Sequence, residues 1–144
     1  MPADPDPRAL MRGRSTAALG TLMDGAPYVS LVLVAFDADG APLLLISRLA
    51  QHTKNLLADP RVSLLFDGTQ GLEDPLTGPR LTVLGAAAPC PDPAALKRYI
   101  ERHPSAETYA GFSDFKLYKV TIARGHSVAG FGQIRWIEPS DLLG

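Results

Sequence analysis

The apolar residues of this chain fall in short blocks separated by glycine, proline and aspartate. Tyr28 to Phe36 is the clearest block, a nine-residue run rich in Val and Leu and broken only by Ser30 and Ala35. Such a β-branched run predicts a strand buried on both faces. Asp37-Ala38-Asp39-Gly40 supplies turn chemistry, and Leu43 to Ser47 returns as the partner in a hairpin. Thr16 to Met23 predicts an earlier strand, ended by the turn residues Asp24 to Pro27. Val62 to Phe66, Leu81 to Ala87 and Phe115 to Ile122 predict three more. Arg124-Gly125 then reads as a turn into His126 to Phe131, with a short tail behind it.

Helical signals are fewer. Asp6-Pro7 combines an N-cap with a proline at the first helical position and opens a short helix through Ala9, Leu10 and Met11, closed by Gly13. Asp92-Pro93 repeats that signature before a helix carrying Leu96, Tyr99 and Ile100 on one face and stopping at Pro104. Leu49 to Ala58 predicts a third helix, with Leu49, Leu56 and Leu57 on one side and Pro60 ending it. Residues 1–5 have nothing apolar to bury and are expected to be disordered. About seven strands joined mostly by short turns predict a mainly β, largely antiparallel domain. Closure into a small barrel removes its exposed edges. Asp67 to Pro79, 13 residues with three glycines and two prolines, is long for a hairpin loop and is read as mobile or functional.

At 144 residues the chain is expected to form one domain, residues 1–144. Its 14 basic and 15 acidic residues leave a net charge near −1, which argues against a nucleic-acid partner. Cys90, the single cysteine, cannot form an internal disulfide, and the three histidines lie scattered with no metal spacing. The N-terminus lacks a basic-then-apolar signal pattern, and the apolar runs fall far short of the roughly 20 residues a membrane span requires. A soluble cytoplasmic protein without a membrane partner is expected.

Candidate chemistry concentrates at Ser47-Arg48-Leu49-Ala50-Gln51-His52-Thr53-Lys54-Asn55, where a strand runs into a helix. Unpaired N–H groups at a helix start favour an anion. Arg48, Gln51 or His52, and Asn55 lie along one helical face, and Ser47 adds a hydroxyl. The segment suits either a phosphate ester or a capped, solvated surface helix. Arg80 opens a strand on which Thr82 and Leu84 share its face. Gly130-Phe131-Gly132-Gln133 permits close backbone approach to a flat ligand, and serves equally as a strand end. No catalytic acid, base or nucleophile can be nominated.

At these residues the sequence resembles the pyridoxamine 5′-phosphate oxidase-like flavin split barrels, nearest the haem-iron-utilisation branch. The resemblance runs from about Ala17 to Trp136. It is carried in order by Tyr28 to Val32, Leu49 to Leu56, Asp59 to Phe66, Pro79 to Gly85, Tyr109 to Phe112 and Gly130 to Gly132. It implies a homodimer of split barrels with FMN at the subunit interface and a small-molecule redox substrate. The strand from Val29 to Val34, with Ser30 and Val32 as contacts, would run along the flavin ring. Ser47, Arg48, Gln51, His52 and Asn55 would hold the phosphate, and Arg80 or Thr82 would lie near the flavin or ribityl chain. His52 stands where many relatives carry a phosphate-binding lysine.

The chain departs from the oxidases where Ser30, Val34 and Ala35 replace basic residues on the first flavin strand. It departs again in the tail, Ile134 to Glu138, which lacks the Arg/His motif for pyridoxal phosphate. Oxidation of pyridoxamine phosphate is therefore not expected. No histidine follows His126, which argues against haem breakdown. Three readings remain: an FMN-dependent oxidoreductase with another substrate, a non-enzymatic haem- or flavin-binding protein linked to haem and iron utilisation, and an empty barrel retained as a partner-binding dimer.

Overall fold

The computed structural model describes residues 6–144, so the expectation for residues 1–5 lies outside the described residues. The chain opens with α1 (Pro7–Gly13), β1 (Thr16–Met23), β2 (Ala26–Leu33), β3 (Ala35–Phe36) and β4 (Pro42–Ser47). Next come α2 (Gln51–Ala58), β5 (Arg61–Asp67), β6 (Pro79–Pro89), α3 (Pro93–Arg102) and α4 (Glu107–Ala110). The last elements are β7 (Phe115–Ala129), β8 (Ile134–Ile137) and α5 (Pro139–Leu142). All strand pairs are antiparallel, in the order β2-β1-β5-β6-β7-β4-β3, with β8 added to β7.

Strands β2 and β3 are the two ends of that order, yet only Val34 separates them in sequence. The sheet must therefore curl until its ends approach each other, which gives an antiparallel half-barrel. Val34 makes the corner: it is fully buried, and its N–H donates to the Ser15 carbonyl at 2.9 Å. The mainly β fold with short helices is the one the sequence predicts.

Alternation along each strand sends one set of side chains inward. Leu19, Leu44, Leu64, Phe66, Leu81, Val83 and Val120 fill the interior, and Met11 of α1 and Leu142 of α5 belong to the same cluster. Each fully buried side chain of this kind contributes about 1.5–3 kcal/mol. Arg8 and Arg12 of α1 donate to the Leu143 and Leu142 carbonyls at 2.5 and 3.1 Å, tying α1 to the last turn of the chain. Helix α3 packs outside β3 and β4, burying Ala95 and Tyr99 against Leu43, Leu45 and Leu117. Its cap is as expected: Asp92 accepts from the Ala94 N–H at 3.0 Å. The Asp6 cap of α1 likewise accepts from Arg8 N–H.

Several expectations are corrected. The Tyr28–Phe36 run is not one strand buried on both faces. It breaks at Val34, and β2 is a sheet edge whose Val29 and Leu31 are 70% and 75% exposed. The hairpin with residues 43–47 is accordingly limited to β3, because β2 pairs with β1 instead. Helix α2 starts at Gln51, and its buried face is Thr53, Asn55 and Leu56, while Leu49 and Leu57 are exposed. Arg124-Gly125 is not a turn; β7 runs through it for 15 residues, absorbing the irregularity as a bulge opposite Leu84 and Gly85. The bulge requires glycine, because a Cβ on Gly85 would run into the Thr121 carbonyl oxygen. The tail holds an eighth strand, β8. The long loop is shorter than expected, since Asp67 and Pro79 belong to strands and Pro75–Thr77 forms a 3-10 turn.

Candidate functional site

The strand–helix junction is built by β4 delivering Ser47 to the start of α2. Ser47 Oγ donates to Asp114 Oδ2 at 3.0 Å and accepts from the Leu49 N–H at 3.1 Å, while Arg48 N–H donates to the Asp114 carbonyl at 2.7 Å. The Ser47 hydroxyl is thus committed to shaping the junction beside a carboxylate. Arg48 is exposed. Ala50 caps α2 without a side-chain bond. Among the described residues the N–H groups of Gln51 and His52 carry no hydrogen bond.

One turn on, Asn55 is buried. Its Nδ2 donates to Thr21 Oγ1 at 3.0 Å, and its Oδ1 accepts from Gln51 Nε2 at 2.7 Å. The amide therefore straps α2 to β1. His52 lies between α2 and the inner side of β2, with Nδ1 3.0 Å from Ser30 Oγ. Burial holds its imidazole below the usual histidine range, so the ring is neutral near pH 7. Val32 is buried in the core.

Arg80 and Thr82 stand elsewhere, on the outer face of β6. Cross-strand register defines that face in rows. Leu31, Ala18, Leu65, Thr82, His126 and Trp136 follow one another across β2, β1, β5, β6, β7 and β8. The adjacent row contains Asp67, Arg80, Val128 and Ile134. Thr82 and Ser30 thus sit on opposite faces of the sheet and three strand spacings apart, about 14 Å. The structure joins Ser30, His52, Gln51 and Asn55 on one side, and Arg80 and Thr82 on the other.

An open depression of about 610 Å³ lies on the outer face, over Gly20, Ser63, Leu65 and Thr82. Gly20 keeps its floor low, since a Cβ there would meet Ser63 Oγ. Its lining is largely apolar and includes Val29 of the edge strand, with exposed Leu31 beside it; its one charged residue, Arg61, is paired with Asp59. On this face, Arg80 Nη1 is buried yet has no hydrogen-bond partner among the described residues; Arg12 Nε and Thr53 Oγ1, elsewhere in the fold, share that state. Asp67, opposite it, is already engaged by Thr69 Oγ1 and N–H, which with the nearby Arg14 and Arg80 charges hold its carboxyl below the usual range against the opposing cost of burial.

Residues that sequence reasoning missed complete this face. His126 packs against Trp136 with ring centroids 4.4 Å apart, and the Arg124 guanidinium lies 3.8 Å from the Trp136 ring centroid. Reading Arg124-Gly125 as a turn concealed them. The alternation His126, Val128 on β7 was the available signal. No group of three or more His, Cys, Asp or Glu suited to a metal ion occurs among the described residues. No helix among them is long and apolar enough to cross a membrane.

A curled antiparallel half-barrel with an apolar outer face and short helices at its rims is the architecture of pyridoxamine 5′-phosphate oxidase-like split barrels. Residues 4–129 match the pyridoxamine 5′-phosphate oxidase family, and the chain belongs to it. It is 39% identical over 119 residues to the chloroplastic heme oxygenase HOZ of Arabidopsis thaliana, covering 78% of this chain and 36% of that protein. The chain thus spans about a third of the length of this curated relative. A heme binding protein from Mycobacterium smegmatis superposes with a TM-score of 0.84 at 28% identity, covering 99% of this chain and 60% of that one. A protein of unknown function from Agrobacterium tumefaciens, Atu2129, gives 0.82 at 34% identity, covering 95% and 58%.

Proposed function

We propose that this chain binds haem on the outer face of its sheet, and that a second copy of the chain covers the apolar edge of that face. The observation that carries the reading is the outer face: a largely apolar depression lined by Leu65 and Thr82, with the unpartnered Arg80 guanidinium two residues along β6 from Thr82 on the same face, fits a flat apolar ligand with an anionic rim. Haem is such a molecule, an apolar macrocycle with two propionates. The haem-binding relatives support the same choice. Arg80 would hold a propionate, Leu65 and Thr82 would lie against the macrocycle, and Gly20 would leave room for it. Bound haem would supply an iron centre whose reactivity its axial ligand and surroundings set. The exposed Val29, Leu31 and Leu33 form one side of an edge strand, and a homodimer would remove them from water.

A second reading, FMN serving an oxidoreductase, rests on Arg48 and the two free N–H groups at the start of α2. Two groups it would use are already occupied, Ser47 by Asp114 and Asn55 by Thr21. Haem is therefore favoured.

Titration of Arg80→Ala and Arg48→Ala with haemin, followed by quenching of the single tryptophan, Trp136, separates the two. A charge-assisted hydrogen bond is worth about 1.5–3 kcal/mol, so Arg80→Ala weakens haemin binding roughly tenfold to a hundredfold. Arg48→Ala leaves it unchanged. Unaltered affinity in Arg80→Ala removes the carrying observation, and loss of FMN binding in Arg48→Ala supports the flavin reading.

A further inference from the structure

We infer that His126 is the axial ligand of the haem iron, an assignment that rests on the haem reading above. The chain has three histidines, and two are committed by their surroundings. His103 is buried, with Nε2 2.8 Å from the Val34 carbonyl and its ring 5.2 Å from that of Tyr99. His52 faces the inner side of β2 through its contact with Ser30. His126 is not committed in this way. It stands on the outer face, directly across from Thr82, and neither ring nitrogen is hydrogen-bonded among the described residues.

Haem iron brings four ring nitrogens with it and needs only one protein imidazole to be fixed in place. The absence of a multi-residue metal cluster among the described residues is therefore no obstacle to this role. Two further groups suit it. Trp136 packs on the half-buried His126 ring and is itself covered by Arg124, so the imidazole is steadied from one side. Arg80 is the diagonal neighbour of His126 across β6 and β7, about 7–8 Å away by sheet geometry. That spacing leaves the long Arg80 side chain able to reach the rim of a macrocycle centred over His126. With iron over His126, the macrocycle would extend toward Thr82 and Leu65, and the Arg80 guanidinium would turn its enclosed Nη1 outward to meet a propionate.

The test is absorbance and electron paramagnetic resonance of the full chain with equimolar haemin, for wild type, His126→Ala, His126→Gln and His52→Ala. Wild type should show the signature of imidazole-ligated ferric haem. Both His126 variants should lose it, and added imidazole should restore it to His126→Ala, which separates a missing ligand from a collapsed fold. If wild type binds haemin and the His126 variants keep the signature, the axial assignment fails while the haem reading stands. Loss of the signature in His52→Ala alone also overturns it. If wild type shows no haemin binding, the haem reading itself fails and the assignment with it.

Discussion

Replacing Asn55 by alanine tests whether the polar residues of α2 serve the fold or a ligand. Asn55 and Thr21 are both about 4% exposed and joined by a 3.0 Å hydrogen bond across α2 and β1. The substitution removes a bond worth about 1 kcal/mol and leaves a buried hydroxyl unpaired, at a cost of about 1–3 kcal/mol that overlaps the first term. The Gln51 contact contributes little, because Gln51 is exposed. The expected loss is about 2 kcal/mol, or a fall in Tm of roughly 4–8 °C for a domain of this size. Urea denaturation of Asn55→Ala, Thr21→Val and the double variant measures it. The double variant should lose less than the sum of the singles, by about 1 kcal/mol. Strict additivity, or full stability accompanied by lost FMN binding, would refute the structural role and place Asn55 in a ligand site.

Other parts of the fold make independent predictions. Asp37, whose side chain is 7% exposed, accepts from Lys119 at 2.9 Å and Arg98 at 2.8 Å, and chiefly the Lys119 bond holds its carboxyl below the usual range. A depressed carboxylate stabilises the protein above its unfolded pKa, and that stability is lost as pH falls through the folded value. Wild type should therefore weaken in acid below about pH 4, and Asp37→Asn should be less stable at pH 7 with a flatter acid limb in urea melts. A limb as steep as that of wild type contradicts this. Gly85→Ala should cost about 2 kcal/mol or more in thermal melts, because the added Cβ meets the Thr121 backbone rather than a movable side chain. Leu31→Glu should convert a dimer to a monomer in analytical ultracentrifugation with little change in Tm, since Leu31 projects away from the core. A monomeric wild type would remove the second-copy proposal.

Much of the fold was legible because turn and cap chemistry is local. Asp6-Pro7 and Asp92-Pro93 start helices where their side chains can cap them, and Thr16 to Met23 forms its strand with the same bounds. The errors share a cause. Burial on one or both faces of a strand depends on its position in the sheet, so an apolar run such as Tyr28 to Phe36 carries no mark of being an edge. Gly125 sits within β7 close to Leu142, Leu81 and Ile137, and a glycine there looks like a turn until the partner strand is known. The site divided for the same reason. Ser47 to Asn55 is contiguous and visible as a motif, whereas Arg80, Thr82, His126 and Trp136 become neighbours only through the register of β6, β7 and β8. Their convergence is non-local, and no spacing along the chain encodes it.

The most direct test of the account is a paired titration of the purified wild-type chain with haemin and with FMN, each followed by desalting and a visible spectrum. Haem binding on the outer face predicts a shifted Soret band that saturates and survives desalting, with no retained flavin bands at equal ligand concentration. Retained flavin bands without a Soret shift would contradict it and return the site to Arg48 and the start of α2.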